Sequence, residues 1–226
     1  KEADARAAAR GVPRFWLKEG EEKTVTFLDG DLMDDGLINA VSYNQHQIKM
    51  NGKFRNYFVC TAEEESCPLC EMDGQWPTLV SCFTIIDHSK FKDRNDKSHQ
   101  HERKLFVAKR DTMKRLQKLA TKHGGLRGWT VSISRIGDKS PEVGTDFDFI
   151  AQQDLPELGK LLMLKPEGTQ PFDYEKEIRY LKADELRELG FGSAVVGKKE
   201  AMAVLGKGKA KAAADDDDDD DGGAGS

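Results

Sequence analysis

A mainly β fold with one core helix is what this sequence predicts, and three observations point there. Short runs that alternate apolar and polar side chains with a period of two recur between Lys23 and Ile150. Asn51-Gly52, among the strongest short hairpin signals, stands between two of these runs. Only residues 111–123 repeat apolar side chains at helical spacing over several turns.

In chain order, Lys23 to Gly30 sets Val25 and Phe27 between polar neighbours and reads as a half-buried first strand ending in a turn. A second strand is expected across Ile38–Met50 and a third across Phe54–Val59, joined as a hairpin through Asn51-Gly52. The cysteine segment interrupts, and Thr78–Asp87 resumes as a largely buried strand. Ser89–Glu102 is strongly polar and reads as a mobile excursion; Lys104–Ala108 returns to strand character, so a further hairpin is expected there. Asp111 is a good N-cap for a helix carried by Met113, Leu116, Leu119 and Ala120 and stopped by Gly124-Gly125. Its other face bears Lys114, Arg115, Lys118 and Lys122, which most simply is a solvated face. Trp129–Arg135 and Phe147–Ile150 alternate again as the last strands. Pro156, Pro166 and Pro171 break the chain beyond Ile150, and Ala183–Leu189 suggests a short helix stopped by Gly190. Several strands, one helix, then final strands suits a Greek-key barrel of the oligonucleotide-binding type, where a helix sits between strands three and four.

The expected organisation is a flexible N-terminal arm over residues 1–14 and one barrel domain over 15–153 with an insertion at about 60–77. A peripheral segment with a short helix covers 154–197, and a disordered linker and acidic tail covers 198–226. With 226 residues, 38% apolar and 33% charged, the chain can bury one core plus appendages. Lys1–Gly11 has no apolar run of the signal-peptide kind, and no stretch approaches the ~20 apolar residues of a membrane span, so a soluble intracellular protein is expected.

Asp215, Asp216, Asp217, Asp218, Asp219, Asp220 and Asp221 form an unbroken acidic run, and removing those seven charges turns a formal net charge of −5 into +2. A tethered polyanion on a mildly basic body competes with external polyanions for the same groove, which suggests nucleic acid as a ligand. The plainer role of such a run is to solvate a terminus.

Cys60, Cys67 and Cys70 form a tight cluster, and two thiolates separated by two residues bind one tetrahedral ion without strain. Zinc is the default metal, in a structural role. The fourth ligand is His46, across the expected hairpin, or Cys82, which sits amid Val80, Phe83 and Ile85 like a core residue; His46 is the preferred one.

Binding single strands takes cations for phosphates and flat rings for bases. Arg14 and Trp16 lie at the entrance to the barrel; Lys49, Lys53, Phe54, Arg55 and Tyr57 lie on the hairpin; Lys104, Phe106, Lys109 and Arg110 lie on a later strand. Core packing is the commoner role of any one aromatic, and Tyr43, Phe54, Tyr57 and Trp16, flanked by polar or basic residues, are the preferred stacking candidates. No helix-turn-helix pair or basic zipper helix is present for duplex reading.

The stretch from Phe15 to Phe149, with Phe58-Val59-Cys60, Cys67-Pro68-Leu69-Cys70, Lys104-Leu105-Phe106-Val107-Ala108-Lys109 and Gly124-Gly125-Leu126, resembles bacteriophage single-stranded-DNA-binding proteins. The order of His46, Cys60, Cys67 and Cys70 is similar to the zinc site of the T-even phage helix-destabilising proteins. The resemblance implies an oligonucleotide-binding barrel with a zinc insertion, working in DNA replication, recombination and repair in the cytoplasm of an infected bacterium. It also implies an acidic C-terminus that engages replication proteins such as a polymerase or helicase. The function expected is sequence-tolerant, non-catalytic binding of single-stranded DNA. The alternatives are a metal-dependent nuclease using Asp87, His88, His99 and His101, and a zinc-stabilised adaptor that binds only proteins.

Overall fold

The computed structural model of the chain describes residues 12–50, 54–72, 74–92, 96–178 and 180–192. Its strands are β1 (Glu22–Phe27), β2 (Val41–Met50), β3 (Phe54–Val59), β4 (Thr78–Asp87), β5 (Phe91–Lys92), β6 (Ser98–His99), β7 (Glu102–Lys109), β8 (Trp129–Ser134) and β9 (Asp146–Gln152). Its helices are α1 (Arg110–His123), α2 (Leu155–Leu161), α3 (Tyr174–Glu177) and α4 (Ala183–Glu188), all but α1 short. None of the described helices is long and apolar enough to cross a membrane. The chain divides into two compact units, with the boundary inside β2. One comprises the chain up to Gln45 together with Pro77–Tyr180; the other comprises His46–Trp76 and the chain from Leu181 onward.

In the first unit an antiparallel sheet runs β2-β4-β1-β8-β9, and β7 pairs with the other edge of β4. The period-two pattern sends Val25 and Phe27 of β1, Phe83 and Ile85 of β4, Phe106 and Ala108 of β7, and Val131 and Ile133 of β8 into one core. Phe106 sits at its centre, with ring centroids 5.5 Å from Phe27, 5.8 Å from Phe15 and 6.4 Å from Phe83. Leu116 and Ala120, one turn apart on α1, close that core from one side. The helix begins at Arg110, and Lys109 occupies the N-cap without a side-chain bond; Asp111 therefore stands in the first turn and is not the cap expected for it. Its charge still favours the positive end of the helix dipole. Gly124, at φ 75°, ends the helix in the left-handed region, as a C-terminal glycine does.

The closed barrel expected from the element order does not form: among the described residues the sheet is open. Where a closing strand would pair with β7, the segment Pro13–Leu17 lies instead. Phe15 N–H donates to Leu105 O, Leu105 N–H donates to Pro13 O, both at 2.9 Å, and Leu17 N–H donates to Glu142 O at 2.7 Å. Phe15 and Leu17 are buried in the core by this placement. Within the polar excursion between β4 and β7, β5 and β6 pair antiparallel, Phe91 against His99.

The other face of β4 is covered near its C-terminal end. Leu155 and Leu158 of α2 pack on Leu28 and Ile86, and Asp154 caps α2 by accepting from Glu157 N–H at 2.9 Å. Farther along, the Tyr174 hydroxyl bonds to Asp29 and, at 2.9 Å, to Thr84 Oγ1, which also accepts from Phe172 N–H at 2.9 Å. One position in the β8–β9 connection tolerates no side chain. Gly144 has φ 90°, and a Cβ there would run into Ile133 Cγ2 and come within 2.9 Å of Ser134 O. Gly144→Ala is therefore expected to destabilise the fold by about 2–4 kcal/mol. Thermal unfolding followed by circular dichroism checks this; an unchanged Tm would show that the connection yields freely.

In the second unit the distal half of β2 runs beside β3. The Asn51-Gly52 turn assigned between them lies outside the described residues. Ile48, Leu69, Leu181, Leu186 and Phe191 form a core together with Cys60 and Cys67, and Phe58 meets Phe191 edge-on at 5.3 Å. Glu65 accepts from Ala183 N–H at 2.7 Å, which ties the cysteine loop to the start of α4.

Candidate functional site

The second unit brings four metal-type donors together. His46 on β2 and Cys60, Cys67 and Cys70 on the loop after β3 place their donor atoms within 4.8 Å of one another. His46 Nε2 stands 3.5 Å from both Cys67 Sγ and Cys70 Sγ, and the Cys60 and Cys70 sulfurs are 3.5 Å apart. A tetrahedral zinc with ordinary bond lengths would put sulfurs roughly 3.8 Å apart and sulfur and nitrogen roughly 3.6 Å apart, so the spacing suits one small ion. Cys67-Pro68-Leu69-Cys70 achieves this by a tight turn in which Cys70 N–H donates to Cys67 O at 3.0 Å. Among the described residues this is the one group of His, Cys, Asp and Glu gathered closely enough to hold a metal.

The electrostatics also suit a cation. Burial pushes the Cys60 thiol up, with Ala62 N–H pulling the other way. The Cys70 thiol is pushed up to about 12, first by burial and then by the neighbouring Cys60 and Cys67 sulfurs. Burial acts on Cys67 in the same sense, yet N–H groups from Thr61, Cys70 and Leu69 converge on its sulfur and hold it below the usual thiol range. Three sulfurs this close resist carrying negative charge together unless a positive ion sits among them. Burial lowers the His46 pKa, which keeps the imidazole neutral, as a ligand must be. His46 Nδ1 is buried and finds no hydrogen-bond partner among the described residues, a departure from the usual support of a ligating histidine. The donor set could hold one metal ion and fits a structural one, since four protein ligands leave no open position.

Cys82, the other candidate for the fourth ligand, belongs to the first unit. It is 1% exposed on β4, its thiol points to Tyr43 Oη at 3.9 Å, and burial raises its pKa to about 11.

The residues expected to meet nucleic acid are sorted by the strand register. Tyr43 lies opposite Val80, and Val80 opposite Lys109, so the three form one row across β2, β4 and β7 on the face away from the core, in which Val80 is buried, Tyr43 half-buried and Lys109 exposed. Arg14 reaches the same region and donates from both terminal nitrogens to Gln45 Oε1, 3.2 Å each. Lys109 and Arg110 are exposed, and Trp16 is 53% exposed with the Lys23 ammonium 5.7 Å from its ring. Phe106 requires correction. It is fully buried at the centre of the core, because it shares the inward parity of Phe83, and no face of its ring is left for a base. Lys104 is engaged as well, donating to the buried Asp87 carboxylate at 2.8 Å. Tyr57 is half-buried on β3 of the second unit. Lys53 and the side chains of Lys49, Phe54 and Arg55 lie outside the described residues, as does the run Asp215–Asp221.

The histidines of the polar excursion are bonded in pairs. His88 Nδ1 stands 2.9 Å from His101 Nδ1, His88 Nε2 stands 2.8 Å from Thr26 Oγ1, and His99 Nδ1 stands 2.9 Å from Glu102 Oε1. Sequence reasoning missed Leu181, Leu186 and Phe191, which share a core with two of the cysteines; the one available signal was the apolar spacing before Gly190. No family model matches the chain, and no curated protein matches it.

Proposed function

We propose that this protein binds single-stranded DNA without sequence preference and without catalysis, in phage replication, recombination and repair within the infected bacterial cytoplasm. The observation that carries the reading is the half-buried Tyr43 with Arg14 beside it and the exposed Lys109 on the same face of the sheet: a ring for a base and cations for phosphates, opposite the core. The pairing of β1 with β4 and β8, of β4 with β7 and of β8 with β9, with α1 between β7 and β8, supports an oligonucleotide-binding fold, a type whose barrel is itself partly open. The ion at His46, Cys60, Cys67 and Cys70 is a structural zinc. The run Asp215–Asp221 competes with DNA for the basic face and recruits replication enzymes such as a polymerase or helicase.

Fluorescence anisotropy of a labelled single strand and of its duplex, across a salt series, tests the reading. Preference for the single strand is expected, with affinity falling steeply as salt rises through counterion release. Tyr43→Ala is expected to weaken binding on the order of tenfold, the scale of one stacked base. Deleting residues 215–226 is expected to tighten it. Equal affinity for strand and duplex, or no affinity at low salt even without the acidic run, would overturn the proposal.

A further inference from the structure

We propose that Cys60 and Cys70 form a peroxide-oxidisable pair, a modification site whose disulfide dismantles the metal centre. The proposal rests on the metal-centre reading above and is independent of DNA binding. Of the four donors, His46, Cys60 and Cys67 are buried and Cys70 alone is exposed, so an oxidant arriving from solvent meets the Cys70 sulfur first. The Cys60 sulfur lies 3.5 Å from it, and a side-chain rotation of roughly 1.5 Å brings the two to disulfide length. Cys67 is the poorer partner, because it is 4% exposed where Cys60, in the same core, is 8% exposed.

The chemistry balances with hydrogen peroxide as the two-electron oxidant. The Cys70 sulfur, a thiolate while it serves as a ligand, attacks one peroxide oxygen; the O–O bond breaks, the sulfur becomes a sulfenic acid, and the other oxygen leaves as hydroxide, which takes a proton from solvent to become water. The Cys60 sulfur then attacks the Cys70 sulfur. The S–S bond forms, the S–O bond breaks, and the hydroxyl leaves as hydroxide, which a second solvent proton converts to water. Two thiolates, one peroxide and two solvent protons give one disulfide and two waters. Only His46 and Cys67 then remain as donors, half of what a closed tetrahedral site requires, so the ion is released.

The test uses the full-length protein as purified, with its zinc content measured first by elemental mass spectrometry. Hydrogen peroxide in molar excess is added, zinc release is followed with a chromogenic chelator, and the product is cleaved after glutamate. Glu63, Glu64 and Glu65 lie between the two cysteines and Glu71 follows Cys70, so the disulfide joins two separate peptides whose fragmentation assigns it. The expected result is one zinc released per disulfide, pairing Cys60 with Cys70, reversed by reductant plus zinc. The response should be lost in Cys70→Ser and unchanged in Cys82→Ser. Zinc retained with the thiols intact, or a disulfide through Cys67, would overturn the proposal while leaving the metal centre standing. Absence of zinc from the start would overturn the metal reading and this proposal with it. The wild-type peptide map decides even where Cys70→Ser fails to fold.

Discussion

On the proposed zinc reading, treatment with a strong chelator is expected to unfold the cysteine unit and leave the strand unit folded. Cys60 and Cys67 are core members there, packed with Ile48, Leu69, Leu181, Leu186 and Phe191, so an ion held by them would form one cooperative object with the apolar cluster. That core is small, and domains of this size usually depend on a metal or disulfides. Structural zinc contributes on the order of 10 kcal/mol to folding in small metal-dependent domains, more than such a cluster supplies by itself. Without an ion, three neighbouring sulfurs and the His46 Nε2 that faces two of them remain at the centre of the unit with no common partner. Hydrogen exchange read by mass spectrometry checks the outcome. Peptides covering 56–72 and 180–192 should lose protection by orders of magnitude, whereas those of β4 and β7 should keep theirs. The same result is expected for Cys67→Ser without chelator. Unchanged protection throughout would remove the metal from the energetics of the fold, and equal loss everywhere would show a single cooperative unit.

The second large effect is a pair of opposite pH dependences within the strand unit. Burial raises the Asp29 carboxyl to about 6, against hydrogen bonds from Tyr174 and Thr84 that favour its charged form. The native state then holds the Asp29 proton more tightly than the unfolded chain does. Its contribution is fully present below about pH 4 and is lost as pH rises through about 6. His88 behaves in reverse. Burial, and then the charge of His101, lower it to about 4 from 6.5, so its contribution is present above about pH 6.5 and is lost as pH falls through about 4. The Asp29 contribution is worth up to about 3 kcal/mol across its window, and that of the more exposed His88 less. The two partly cancel in the wild type, and single variants should uncover them. Asp29→Asn is expected to gain stability relative to wild type as pH rises from 4 to 7, and His88→Gln to gain as pH falls over the same span. Urea unfolding at closely spaced pH values measures both. Curves parallel to wild type would show that the side chain concerned keeps its ordinary ionisation in the native state.

Much of the metal site is legible in the sequence because its information is local. Cys67-x-x-Cys70 with Cys60 a short loop away states a tetrahedral donor set, and His46 follows from expecting β2 to lie beside β3. Strand and helix positions are legible where one face is buried, as in β1 and α1. The features that escape depend on relations between distant residues. The core around Cys60 and Cys67 is completed by Leu186 and Phe191, more than a hundred positions later, and no local pattern announces that pairing. Phe106 resembles a stacking residue because Lys104 and Lys109 flank it, but parity against Phe83 turns it inward. Asp111 has the chemistry of a cap, yet β7 runs on to Lys109 and the chain turns directly into helix, which moves the boundary back. The open sheet reflects the placement of Pro13–Leu17, a segment with too few residues to register as a strand.

That segment bears on how the protein behaves in a crowded solution. An unpaired strand edge is a template on which another chain can add itself, and globular proteins guard such edges with proline, short covering pieces or charge. Pro13 and Phe15 exchange backbone bonds with Leu105 on the outer side of β7, and the absent proline N–H leaves the covering piece with fewer donors of its own. This short piece thus serves as a sheath on the β7 edge, and trimming it would leave that edge open to pairing with another chain.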